Sequence, residues 1–438
     1  MTLPLIADVD VCVVGSGSAG STAAIAAARG GASVLLVDRL PFLGGTSTAV
    51  LDTFYGFYTP GSRSLKVVGG IGDEVVAELR VLGPVVERPN TYGAGTGVTY
   101  LAEHLKVVWE RLVEQAGARI LLHAVVQEAS VSDGRLTELT LATRAGLRRV
   151  AARVFVDASG DADVCHFAGF GYEVAGEHDP AQMLTTTFRL ANVDVAARRS
   201  VDRAAFHALM ADAAASGDYD LPRREGSDHI TPIDGVMATV MTRLDPTERR
   251  ADGAIVDTTD PDFLTRAEIA GRRQAFEFVR FLVDRVPGYE RASLVALGTQ
   301  IGVRETRRVY GDARLTRDDV LSARQFDDGI GLCGAPIEDQ RATGTEWVYL
   351  PDGRAVGIPY AALVVRDAAN VLVAGRCFSA THDAHASVRS MAQCMAMGQA
   401  AGTAAAMAAG GDGSPRDVAV DRLRERLRAG GAILELPS

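Results

Sequence analysis

The sequence predicts an α/β fold: a parallel sheet extended by a three-stranded β-meander, with an α+β segment inserted before the chain returns to the sheet. Three observations predict it. A strand, a glycine-rich turn, a helix and a second strand follow one another between Asp8 and Asp38. Three strand-patterned segments separated by turns run from Ala118 to Val156. Near the far end of the chain, the apolar run Asn370 to Ala374 ends on Gly375 and leads into a long helix of small residues.

In the first unit the apolar run Val11 to Val14 enters Gly15-Ser16-Gly17-Ser18-Ala19-Gly20, an alanine-rich helix follows, and the run Val34 to Val37 ends on Asp38. Gly15 makes the turn, Gly17 lets the backbone approach a pyrophosphate, and Gly20 lets the helix lie close to the strands; Ser16 and Ala19 complete the loop. The amides and dipole of a helix N-terminus favour the phosphate charge. Asp38 is placed to accept hydrogen bonds from ribose hydroxyls, and its charge disfavours a 2′-phosphate. By itself this stretch fits NAD or FAD.

Arg39 opens the next loop, which reaches Gly44-Gly45-Thr46-Ser47-Thr48, a glycine pair followed by hydroxyl residues. Such a loop can approach a flat ring or a pyrophosphate and donate hydrogen bonds to it. The aromatic cluster from Phe54 to Tyr58 reads either as core beneath a loop or as the wall of a substrate pocket, with the pocket favoured by its place beside the cofactor loop. Apolar residues at Leu101, Leu105, Val108, Leu112 and Val113 have helical spacing. Gly93-Ala94-Gly95-Thr96-Gly97 precedes that helix but follows no strand, so it is not a second nucleotide fingerprint. The meander comes next, broken by Ser132-Asp133-Gly134 and Ala145-Gly146, and ends on Asp157-Ala158-Ser159-Gly160-Asp161.

The middle of the chain names no chemistry. Its clearest feature is Arg304 and Arg307, which share a face if they stand on a helix and do not on a strand. Paired guanidinium groups suit a carboxylate or another anion; the alternative is a structural ion-pair cluster with Glu305 and Asp312.

At 438 residues the chain is long for one compact core and short for three, which predicts two intimately packed domains. The expected order is a nucleotide-binding domain over 1–169, an inserted substrate domain over 170–355, a return to the first domain over 356–415, and a C-terminal helix and tail over 416–438. A net charge of −10 argues against nucleic acid as a partner. No basic leader precedes the first strand, so a signal peptide is not expected. The small-residue segment Ser387 to Gly411 carries Arg389, Gln393 and Gln399 and suits tight helix packing better than lipid. Five cysteines without a CxxC pair predict no disulfide framework, zinc site or dithiol centre, and a reducing cytoplasm. Homo-oligomerisation is left open.

Taken together, the glycine fingerprint, the acid, the Gly-Gly-Thr loop, the meander and "VDASGDAD" resemble the glutathione-reductase-type FAD fold, a Rossmann-like domain. In that fold the segment matching Ser159-Gly160-Asp161 returns the chain to the cofactor, and the segment matching Val125-Val126 faces the adenine. Ser159 stands where threonine is usual and keeps the hydroxyl. With "GVRETRR", "IPYAAL" and "NVLVAGRCFSATHDAHASVRSMAQCMAMGQAAGTAA", the whole looks like the FAD-dependent oxidoreductases related to fumarate reductase and heterodisulfide-reductase flavoproteins. The resemblance implies non-covalent FAD and places Gly375, Arg376, Gly398, Gln399, Ala400 and Ala401 around it. Many members carry a histidine at the end of the segment matching Ile337 to Gln340; here the position is Gln340.

Given FAD, the protein must position a substrate carbon and manage one proton and one developing charge. His382 and His385, with Arg389 four residues further, are the natural polar groups: an imidazole could accept the substrate's proton, and Arg389 could hold an anion opposite Arg304 or Arg307. No third ligand with regular spacing supports a metal. The expected activity is a dehydrogenase or oxidase moving a hydride from a small polar or anionic substrate to the flavin, with oxygen or another acceptor taking the electrons. The alternatives are a fumarate-reductase-like reduction of an activated C=C and a non-catalytic electron-transfer flavoprotein subunit.

Overall fold

The computed structural model describes residues 3–89, 96–342 and 344–437; Gly93 and Gly95 of the second glycine run lie outside them. The fold grows outward from strand β1 (Leu5–Val14), which lies parallel to β2 (Val34–Val37) on one side and to β6 (Gly146–Asp157) on the other. Val11 to Val14 are buried on both faces, so the strand reads as a continuous apolar run rather than an alternating one. The short β3 (Arg119–Leu121) extends the sheet beyond β2, again in parallel.

Strands β4 (Val125–Ser132), β5 (Arg135–Thr143) and β6 form the antiparallel meander. Its expected first segment is in fact two strands, broken where His123 takes a positive φ of 57°. The piece before the break belongs to the parallel sheet and the piece after it to the meander. β6 joins the two: its first half pairs with β5, and at Phe155 to Asp157 that edge is taken over by β11 (Val371–Val373), near the C-terminus. One seven-stranded sheet results. Asn370 locks the junction, its amide oxygen accepting from Leu136 N at 2.9 Å and its nitrogen donating to the carbonyls of Leu136 and Arg153.

Two helices rich in small residues cover this sheet. Helix α1 (Ser18–Arg29) packs along α5 (Met391–Ala409), with Gly398 against Ala19 and Gly402 against Ala23. A Cβ on either glycine would stand 2.1 Å from the facing carbonyl oxygen, so the two backbones touch. Among the described residues no helix is long and apolar enough to cross a membrane. The amphipathic α2 (Ala102–Ala116) buries Leu105, Val108, Trp109, Leu112 and Val113 against the same body, as its spacing predicts.

The inserted part has its own antiparallel sheet, with β7 (Phe188–Ala191) between β9 (Met237–Val240) and β10 (Ser293–Leu297), and β8 (Ser227–Ile230) outside β9. Helix α3 (Pro261–Arg285) backs it, with Asp260 accepting from the amides of Asp262 and Phe263 at its N-terminus and proline in the first turn. Phe188, Phe206, Met210, Phe278, Phe281 and Tyr289 form this second core. From Val309 onward, buried residues such as Leu315, Leu332 and Ile358 belong to the first core, so by packing the insert ends earlier than residue 355.

Candidate cofactor and substrate cleft

One cleft runs between the two parts. Its first end is walled by Gly15 to Ala19, Asp38, Arg39, Gly45 and Thr46, with Ser159, Gly160, Gly375 and Arg376 beyond them. Asp38 organises that end: one carboxylate oxygen accepts from both the amide and the hydroxyl of Ser16 at 2.6 Å, and the other from Leu40 N at 2.7 Å. Gly17 is the N-cap of α1, with φ −60°, and no protein atom would lie within 4 Å of a Cβ added there. Protein packing gives no reason for a glycine at this position. Close approach of a ligand backbone does.

Arg376 crosses the cleft floor, donating to Asp161 at 2.8 Å, while its buried Nη1 finds no partner among the described residues. Burial pushes the Asp161 carboxyl up, but the Arg376 and Arg39 guanidinium groups outweigh it and hold the acid below its usual range. An unpartnered guanidinium donor, an open glycine and the N-terminus of α1 make a donor set suited to a pyrophosphate.

Several residues expected at the cofactor stand behind the wall instead. Gly20 packs on the Gly15 carbonyl, where a Cβ would lie 1.7 Å from the oxygen, and Gly44 donates to Ser16 O at 2.8 Å. Val126 is buried on β4, away from the cleft. Gly398, Ala400 and Ala401 lie well inside α5, buried against the first core. Gln399 accepts from Ile71 N and donates to Gly430 O. The helix begins at Met391, and its N-cap Ser390 reaches the cleft together with Met391 and Cys394. The small residues of GQAAG therefore serve helix packing, and the positive end of the α5 dipole lies at Ser390 and Met391.

The other end of the cleft is walled by the insert and by the hairpin of Ile337–Arg341 and Gly344–Val348. Strand alternation sorts the first of these hairpin strands: Glu338 and Gln340 line the cleft, while Asp339 between them turns to His382. Arg304 and Arg389 both line this end, as do Tyr55, Asp52, Trp347 and Arg223. Of the aromatic cluster, Tyr55 is in the wall, and Phe54 and Phe57 are core. Arg304 donates to Met183 O at 2.5 Å and Thr185 Oγ1 at 2.9 Å, and Arg389 donates to Gln182 Oε1 at 2.7 Å. Burial, with Arg389 and Arg223 close by, pushes the Arg304 guanidinium down to about 9. Burial likewise raises the Asp52 carboxyl, against the pull of Thr53 N, Arg304 and Arg189.

The remaining three expected groups are elsewhere. Arg307 opens the strand Arg307–Val309 rather than sharing a helix face with Arg304, and it donates to Asp161 O and Asp163. Arg308, its neighbour, takes the pairing with Glu305, and Asp312 pairs with Arg416. His382 and His385 do not line the cleft. His382 lies between Glu305 and Asp339, at 2.9 and 3.2 Å. Burial opposes its charge, but the two carboxylates raise its pKa to about 10, so at neutral pH it is a cation with no lone pair to accept a proton. His385 donates from Nε2 to Arg376 O at 2.7 Å, and burial drives its pKa down to about 3. Both histidines fix the loop behind the cleft.

A sequence model of the FAD-dependent oxidoreductases matches residues 10–427. The chain belongs to the FAD-dependent oxidoreductase family. FAD is thus the cofactor that the donor set of the cleft fits, and the protein is an oxidoreductase. Solved structures similar to the chain include a geranylgeranyl bacteriochlorophyll reductase-like protein from Thermoplasma acidophilum, at 14% identity and TM-score 0.47, covering 97% of this chain and 84% of that one. The p-nitrophenol 4-monooxygenase PnpA of Pseudomonas putida is similar at 10% identity and TM-score 0.44, covering 97% and 81%. The aromatic hydroxylase CabE of angucycline biosynthesis is similar at 17% identity and TM-score 0.40 over 70% of this chain, which spans 55% of CabE. No curated protein matches the chain.

Asp52, Arg223, Glu338 and Trp347 line the cleft without a motif that marks them as site residues. Arg223 stands beside Arg224 in a stretch without periodicity, and a basic pair there is as often a solvated surface. Asp52 adjoins the aromatic cluster, which is the one signal that could have found it.

Proposed function

We propose that the protein is a dehydrogenase or oxidase that takes a hydride from a small anionic organic substrate. The observation that supports this reading is the presence of Arg304 and Arg389 in one cleft with the nucleotide-binding turn, each held by neutral groups rather than by a carboxylate. Bound FAD supplies the hydride acceptor. Arg304 and Arg389 hold the substrate's anionic group, with Met183 O, Thr185 and Gln182 fixing their planes. Asp52, in the same wall, takes up the proton that a hydroxyl or amine releases as the hydride leaves; burial has already raised its affinity for that proton. Tyr55 and Trp347 shield the reacting end from water. Oxygen or another acceptor removes the electrons, and a reducing cytoplasm suits five buried cysteines that form no disulfide.

Anaerobic mixing of the FAD-loaded protein with small hydroxy and amino carboxylates tests the reading. At least one should bleach the yellow absorption of oxidised flavin. If none does so while dithionite does, and an unsaturated carboxylate then restores the colour, electrons run in the opposite direction and the reading fails.

A further inference from the structure

Arg223 is a buried charge in the cleft to which the proposed reaction gives no role. Its side chain is almost wholly buried, at 2% exposure, and neither Nε nor Nη1 has a hydrogen-bond partner among the described residues. Two guanidinium nitrogens without acceptors in such a place are costly, because their desolvation is offset only by well-aligned acceptors; the acid that feels the Arg223 charge is Glu225. Arg223 lines the cleft, with Arg304 and Arg389 in the same wall. The Nε of Arg389 is also buried and unpartnered. The partners of Arg304 and Arg389 among the described residues are neutral, so three cations converge on one open space.

We infer that Arg223, Arg304 and Arg389 together form a seat for one carboxylate group of the substrate, with Arg223 a binding residue of the reaction. The inference deepens the proposed reading of an anionic substrate and rests on it. Charge arithmetic favours a carboxylate over a phosphate. Three guanidinium groups face two acids in the same wall, Asp52 and Glu338, which leaves one net positive charge when both acids are ionised. A monoanion neutralises that charge; a phosphate dianion overshoots it beside two carboxylates. A carboxylate also accepts two parallel hydrogen bonds from a guanidinium fork, which Nη2 completes with either Nε or Nη1, and in Arg223 both of those lack a partner among the described residues. The seat draws on both parts of the chain, with Arg223 in the segment before β8 and Arg389 at the C-terminal end of α4 (His382–Val388).

The test uses FAD-loaded full-length protein, with benzoate, succinate, inorganic phosphate and sulfate as probes. Binding is read from the perturbed flavin absorption and from the rise in melting temperature. Benzoate or succinate should bind more tightly than phosphate or sulfate, and Arg223→Met should weaken that binding by roughly tenfold or more. Without ligand, Arg223→Met should retain FAD and melt at the same or a higher temperature, since a buried guanidinium with two unsatisfied nitrogens has been removed. An unchanged carboxylate affinity, tighter binding of phosphate, or a lower melting temperature without ligand would each overturn the seat. Binding that depends on Arg223 while no carboxylate reduces the flavin leaves the seat standing and removes the hydride-transfer reading. Flavin reduction by a carboxylate at unaltered half-saturation in Arg223→Met does the reverse.

Discussion

Gly398→Val is expected to yield little folded protein, whereas Gly17→Ala is expected to fold normally and to purify without its flavin. The two glycines look alike in a sequence, and their surroundings separate them. A Cβ on Gly398 would lie 2.1 Å from Ala19 O and 2.9 Å from Ala19 Cα, both backbone atoms of α1. Neither helix can slide away, because Gly402 makes the same contact with Ala23 one turn further on. Overpacking of this kind costs about 1–3 kcal/mol where side chains can adjust and more where backbones meet, against a total stability of about 5–15 kcal/mol. At Gly17 the added methyl meets nothing within 4 Å, and the φ of −60° is open to any residue. What it would meet is the pyrophosphate. Far-ultraviolet circular dichroism and the flavin-to-protein absorbance ratio of the two purified variants check both outcomes.

Glu305→Gln is expected to lower stability by about 3–5 kcal/mol in chemical denaturation, as removal of one member of a buried ion cluster does. The Glu305 side chain is fully buried, with Arg308 at 2.7 Å and His382 at 2.9 Å. Burial would raise its pKa, but His382, His385 and Arg308 bring it down to about 2 from an ordinary 4.5. Its contribution is therefore complete above pH 4.5 and is lost as the pH falls through about 2. His382 works on the other side: raised to about 10 from 6.5, it contributes fully below pH 6.5 and loses that contribution as the pH rises through 10. The wild-type melting temperature should accordingly fall between pH 7 and 10 through His382, with the fall smaller and ending at lower pH in Glu305→Gln, which lowers the folded-state pKa of His382. The cleft should feel the change as well. Glu305 accepts from Gln182 N at 2.9 Å, and Gln182 holds Arg389.

Local pattern was enough for the first strand, turn and helix, because each glycine acts within a few residues of its own position. It was enough for α2 and for the meander, whose periodicities differ. It was not enough where one residue answers two demands. Gly398 and Gly402 have the spacing of a close helix contact, yet they read equally well as space for a flavin, and only the position of α1 decides between them. His382 and His385 were legible as a polar cluster beside the cofactor segment. Their charge states were not, because Glu305 and Asp339 arrive from segments distant in the chain. Arg304 was legible as a candidate anion ligand while its neighbour Arg307 was not separable from it, since the strand that sends them to different partners has no sequence signature of its own. Arg223 had no local signal at all, and its importance lies in a buried Nε and Nη1 without partners among the described residues.

One cleft is expected to carry FAD from the Gly15–Gly20 turn to Arg304 and Arg389. A crystal structure of the FAD-loaded protein tests it most directly. The pyrophosphate is expected against Gly17 and Arg376, and the flavin ring at the end of the cleft walled by Tyr55, Arg304 and Arg389. A ring lodged at the Asp38 end, or FAD held outside this cleft, would contradict it.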